Sequence, residues 1–158
     1  MKNYLSVYLL LVVSSLCSNR VEANQWKKHN IMQQGHCNTA VALDANGDVY
    51  LDVIASFNGR VSLFIAPDWD SEIILHRFCG GNGSCIHSEV IDVDGDGDLD
   101  WAGTLASSHP FWLENPGPKD GLKGAWTPRI IDPDITGIHC ILKSDIDNDG
   151  RPDLIINN

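Results

Sequence analysis

Positive charge is scarce in this chain: 11 Lys and Arg stand against 21 Asp and Glu, for a formal net charge of −10. Nucleic acid and anionic membrane surfaces both demand a basic face, so neither is expected as a partner. Helical periodicity is missing as well, since no stretch keeps apolar residues in helical register over three turns. Only one long apolar run occurs, at the N-terminus, and no second membrane-spanning candidate follows it. Neither Cys37 nor Cys140 has a second cysteine at metal-ligand spacing, which argues against a zinc site. What remains for 158 residues is one domain of β type with enough apolar content for a sizeable core.

The first 23 residues do not belong to that core. "MKNYLSVYLLLVVSSLCSNRVEA" has a basic Lys2, an apolar stretch from Tyr4 to Leu16, and Val21 and Ala23 placed for cleavage before Asn24. This is the pattern of a secretory signal, shorter than a bilayer span, and it leaves residues 24–158 as the mature domain. The chain is then expected outside the cell or in the periplasm, with no membrane insertion after cleavage. Cys37, Cys79, Cys85 and Cys140 remain, an even number in an oxidising compartment, so disulfides are expected. The short flexible loop between Cys79 and Cys85 points to a local bridge and leaves Cys37 with Cys140, although three connectivities are formally open. Asn82 opens the glycosylation sequon "NGS".

The acidity is concentrated. More than half of the 21 acidic residues fall in windows 44–52, 92–100 and 145–153. Aligned, "LDANGDVYLDVIA", "IDVDGDGDLDWAG" and "SDIDNDGRPDLII" share one frame, with side-chain oxygens at positions 1, 3, 5 and 9. These are Asp44, Asn46, Asp48 and Asp52; Asp92, Asp94, Asp96 and Asp100; Asp145, Asp147, Asp149 and Asp153. The "WKKHNI", "WDSEII" and "WTPRII" segments recur between them, and repeats of this length indicate a propeller, solenoid or array. Short apolar runs follow each window, then turn residues, then alternation such as "RVSLFIA", in which Val61, Leu63 and Ile65 share a face. About four short antiparallel strands per unit are expected.

Like charges at such spacing repel unless a cation holds them together. Alternating hard oxygens in a tight loop suit Ca²⁺, which takes six to eight oxygens at about 2.3 to 2.6 Å, including a backbone carbonyl. Position 7 offers that carbonyl, from Tyr50, Asp98 and Arg151. The EF-hand begins the same way but needs a Glu at position 12 and flanking helices; here position 12 is Gly103 or Ile156, and β-type runs follow. In the first loop Val49 stands where Gly97 and Gly150 stand in the others, and Asn46 supplies one charge fewer, so weaker affinity is expected there.

These loops, their period and the following "DLII" or "DWAG" run resemble the FG-GAP/VCBS repeats that form integrin-alpha-like calcium-binding β-propellers. The resemblance implies an all-β, partial β-propeller of four-stranded antiparallel blades, with a Ca²⁺ ion in each loop between two adjacent strands. The Phe-Gly and Gly-Ala-Pro elements of the integrin version are lacking, so the chain is more similar to the broader VCBS group. Two complete repeats and the start of a third are present, and "WKKHNI" reads as an outer strand lacking its own inner strands. A reading frame continuing beyond Asn158 is therefore expected.

Each repeat carries a histidine shortly before its loop: His36, His87 and His139. Convergence of these at a propeller axis would provide a metal site with an open position. The arrangement is similar to that of secreted polysaccharide lyases and sugar dehydratases with axial histidines. Their differing registers favour ordinary surface roles instead, and Ser84, Ser107 and Ser108 lack any motif context. Trp26, Trp69 and Trp126 repeat with the units and read as packing; Trp101, Phe111 and Trp112 either line a sugar-binding surface or fill the core. The leading reading is a secreted, calcium-binding module that recognises a glycan or an extracellular protein. A lyase or dehydratase on the same scaffold is the alternative.

Overall fold

The computed structural model describes residues 27–32, 35–79, 83, 85–105 and 108–157. The signal segment, Trp26, the Asn82 sequon, Ser84 and Ser107 lie outside the described residues. The chain divides after Asn30, and residues 27–30 of the first part are exposed and carry no strand or helix, so the described part of "WKKHNI" does not form the outer strand expected of it.

From Ile31 onward the described elements are β-strands together with a short helical turn at Gly121–Lys123. The first sheet has the order β1 (Cys37–Leu43), β2 (Asp52–Phe57), β3 (Arg60–Phe64), β4 (Glu72–Arg77). The second repeats it with β5 (His87–Ile91), β6 (Asp100–Thr104), β7 (Phe111–Glu114), β8 (Thr127–Ile130). A third pairs β9 (Cys140–Ser144) with β10 (Asp153–Asn157). Every pairing is antiparallel between consecutive strands, as short strands joined by turn-rich connections favour. Two four-stranded units and a two-stranded one thus follow the period read from the sequence.

Alternation within the second sheet explains its nearly continuous apolar strands. Val90, Trp101, Phe111 and Leu113 face one way, into a cluster with Leu43, Ile54, Val61, Leu63 and Leu75 of the first sheet. Their neighbours Ile91, Ala102 and Trp112 face the other way and pack with Ile141, Leu154 and Ile156 of the third. A sheet buried on both faces loses the polar half of its alternation. Trp101 is fully buried, and Phe111 and Trp112 are buried beside it, so these aromatics pack in the core. Trp126 is also buried, with its indole N–H donating to the Gly121 carbonyl at 3.1 Å, while half-buried Trp69 donates to the Leu51 carbonyl at 3.2 Å. Backbone bonds add to the joint: Trp126 N–H donates to the Leu75 carbonyl of β4 at 3.0 Å.

The expected disulfides are not formed; Cys37, Cys79, Cys85 and Cys140 are free thiols. Cys85 is fully buried in the core cluster, with its N–H on Ser56 Oγ at 2.7 Å, whereas Cys79 is exposed beyond β4. Burial pushes the Cys85 thiol up to about 12, which removes its nucleophilic thiolate at neutral pH. Cys37 and Cys140 open β1 and β9, first strands of two sheets between which β5 intervenes.

Candidate metal loops

The three aspartate windows are the connections between the first and second strands of the three sheets. Position 9 is the first residue of β2, β6 and β10, paired with the residue just before position 1: Leu43 with Asp52, Ile91 with Asp100, Ser144 with Asp153. One internal scaffold recurs in all three. The N–H at position 6 donates to the position-1 carboxylate, from Val49 to Asp44 at 2.9 Å, Gly97 to Asp92 at 3.0 Å and Gly150 to Asp145 at 3.0 Å. At position 5, Asp48, Asp96 and Asp149 donate to the side chains at position 3, Asn46, Asp94 and Asp147. The position-7 N–H groups of Tyr50, Asp98 and Arg151 donate to the position-5 carboxylates at 2.9, 2.9 and 2.8 Å.

Positive φ explains the glycines. Position 6 has φ of +97° at Gly97 and +89° at Gly150, a region L side chains rarely enter. Val49 takes the same conformation at +69°, so the first loop keeps the fold of the others against its own residue preference.

The carboxylate oxygens of Asp92, Asp94 and Asp96 lie within 4.8 Å of one another, as do those of Asp145, Asp147 and Asp149. Two ligands on one Ca²⁺ at about 2.4 Å each are separated by no more than about twice that distance, so both trios fit a single ion. The ion pairs among the described residues join Arg60 to Glu72, Lys123 to Asp120 and Arg129 to Glu114, all outside the loops. In the first loop the Asn46 amide donates to Asp48 at 3.0 Å, tying an uncharged group into the place of a third carboxylate. Desolvation raises the Asp44 carboxyl, but the N–H groups of Val49, Gly47, Asp48 and Asn46 outweigh it and hold the group below its ordinary value.

Position 9 does something different. Asp100 is buried and accepts the Val93 N–H at 2.9 Å and the Asn115 N–H at 2.8 Å, one on each oxygen. Asp52 repeats this with Ala45 at 3.1 Å and Ala66 at 2.8 Å, and Asp153 accepts from Ile146 at 2.8 Å. Asp52 and Asp100 thereby clamp the aspartate loop to the hairpin beyond it, whereas the Asp153 bond stays within its own loop. Burial, and then the nearby charges of Asp94 and Asp96, raise Asp100 to about 6. Asp52 is raised for the same leading reason, burial. Asn115 completes the clamp, with Nδ2 on the Leu99 carbonyl at 3.1 Å and Oδ1 accepting from Gly117. Sequence reasoning missed it because "ENPGPKDG" reads only as a turn; nothing local marks an asparagine whose N–H meets a carboxylate 15 positions earlier.

The three histidines stand at or just before the first strand of each sheet. His36 precedes β1, His87 opens β5 and His139 precedes β9, all three exposed. Among the described residues, the groups of three potential ligands within 4.8 Å are the two aspartate trios, and the histidines form no such group.

No curated protein and no solved structure gives a significant match to this chain. Residues 92–156 match the family model described as the FG-GAP-like repeat, a stretch that takes in the second and third loops and all of the second sheet from β6 onward. By repeated loop geometry and by that match, the segment from Asp92 to Ile156 is similar to an FG-GAP-like repeat.

Proposed function

We propose that this protein is a secreted, calcium-stabilised FG-GAP repeat module of β-propeller type that recognises a glycan or an extracellular protein. The observation that carries the calcium part is the pair of carboxylate trios, Asp92, Asp94 and Asp96 and Asp145, Asp147 and Asp149, each with ligand atoms within 4.8 Å. Six carboxylates so placed need positive charge, and hard oxygen donors select Ca²⁺ over softer ions. Asp44, Asn46 and Asp48 form a weaker third site on the same backbone scaffold. The carbonyls of Tyr50, Asp98 and Arg151 complete each shell, with Asp52, Asp100 and Asp153 behind them. The ions hold the hairpins of the blades in register, and recognition falls to other surfaces. An adhesion-type role is supported by the acidic, repeat-built architecture and by the exposed apolar tip Val49, Tyr50 and Leu51. An enzyme working through an axial metal would need His36, His87 and His139 in one shell.

The test is thermal unfolding of the full chain with Ca²⁺ and after chelation. Stabilisation of about 2.7 kcal/mol is expected at a 100-fold excess over the dissociation constant, and an unchanged melting temperature would defeat the calcium reading. Glycan-array and cell-surface binding measured in Ca²⁺ then separate a recognition module from a purely structural one.

A further inference from the structure

A cavity of about 470 Å³ opens between the first and second sheets, among the end of β4, the β6–β7 connection, the start of β7 and the end of β8. Because the strands alternate in direction, this is the opposite end of the sheets from the aspartate loops, and the cavity owes nothing to them. Its volume falls in the range of small-molecule sites, about 300 to 1,000 Å³.

Three rings wall it. His76 meets Phe78 at 5.2 Å and 73°, and Phe111 at 5.8 Å and 49°, while Phe78 and Phe111 stand 6.2 Å apart at 89°. Rings set at such angles offer both faces and edges to a further ring. Among the described lining residues the one Lys, Arg, Asp or Glu is Arg129, whose guanidinium pairs with Glu114 and lies 5.8 Å over the Trp112 ring. Burial holds His76 below the ordinary histidine range and therefore neutral at pH 7. His109 also lines the cavity, and its Nδ1 lies 3.0 Å from the Ile135 carbonyl, which can only accept, so Nδ1 carries a proton. That leaves Nε2 as the ring nitrogen without this bond. An ion entering here would lose its hydration with no free countercharge to meet it.

We propose that this cavity is a binding site for a small uncharged ring compound carrying one hydrogen-bond donor, with phenol the simplest member of the class. The aromatic walls take the ring and His109 Nε2 accepts the donor. Isothermal titration of the full chain with phenol, toluene, benzoate and benzylammonium tests it. Phenol is expected to bind saturably, toluene several-fold more weakly, and the two ions at least about tenfold more weakly. Ser108→Phe, which fills the cavity from its loop, is expected to weaken phenol about tenfold or more, and Ile130→Glu at the exposed rim to weaken it as well should the first variant not fold. His109→Leu is expected to erase the preference for phenol over toluene while ring binding persists. Absence of saturable phenol binding, equal binding of the ions, or undiminished binding by the folded cavity variants would overturn the proposal.

Discussion

Asp100 and Val93 face each other across the second aspartate loop, with the Val93 N–H 2.9 Å from Asp100 Oδ2, while the other oxygen of the same carboxylate holds Asn115. One buried carboxylate therefore joins the aspartate loop to the following hairpin. Replacing it with asparagine turns one acceptor into an NH₂ donor opposite an N–H. Asp100→Asn is expected to lose about 1 to 3 kcal/mol with or without Ca²⁺. Asp94→Asn, on the exposed part of the loop, is expected to lose mainly the calcium-dependent increment. Urea unfolding of both variants in Ca²⁺ and in chelator separates the two roles; identical profiles would sink the distinction.

Val49 occupies a left-handed conformation at φ +69° and is 85% exposed, so it has strain to relieve and little packing to lose. The conformation costs a β-branched residue about 1 to 2 kcal/mol, and glycine's extra freedom in the unfolded chain takes back about 0.4 to 1. Val49→Gly is expected to raise stability by about 0.5 to 1 kcal/mol and to tighten Ca²⁺ at the first loop. A lowered urea midpoint would show that the loop does not hold this backbone in solution.

Gly103 is required by the ring beside it. A Cβ there would stand well inside van der Waals contact with the Trp101 ring, and Trp101 has no exposed surface through which to withdraw. Gly103→Ala is expected to destabilise by about 1 to 3 kcal/mol through overpacking and to alter the near-ultraviolet circular dichroism of the tryptophans. Unchanged guanidinium unfolding would contradict the packing of β6.

The pH dependence of His76 has a definite sign. Burial lowers its folded value beneath the ordinary 6.5, so on acidification the unfolded chain takes up the proton first. Stability from this residue is fully present above about pH 6.5 and is lost as pH falls toward the folded value. Asp100, raised to about 6, acts in the opposite sense below that pH, favouring the fold as it takes up a proton, so the contrast between parent and variant is what isolates His76. His76→Phe is expected to flatten the acid-side loss in urea unfolding measured from about pH 7 to 5. A variant whose curve runs parallel to the parent's would refute it.

The repeat was legible because its constraints are local. The bonds donated from positions 5, 6 and 7 of each loop reach acceptors no more than five positions away, Gly97 and Gly150 answer a backbone need at one fixed step, and the following strand begins on the ninth residue. The strands were legible for a related reason: Val61 and Leu63 alternate with residues bound for the other face. The cysteine count misled, since parity says nothing about distance, and Cys85 is buried in a core that exposed Cys79 does not share.

Residue order alone specified three hairpin loops of one design, their clustered side-chain oxygens and the four-strand unit between them, because short-range backbone geometry and alternation carry that information. The fates of particular side chains were decided only when the sheets came together. Trp101, Phe111 and Trp112 became core because the second sheet is covered on both faces. Asp100 became a clamp because Asn115 arrives from beyond the next strand. His76 and His109, unremarkable in sequence and 33 positions apart, came to line one cavity because two sheets leave a gap there. Burial and long-range contact are properties of the packed layers, and no local pattern in the chain encodes them.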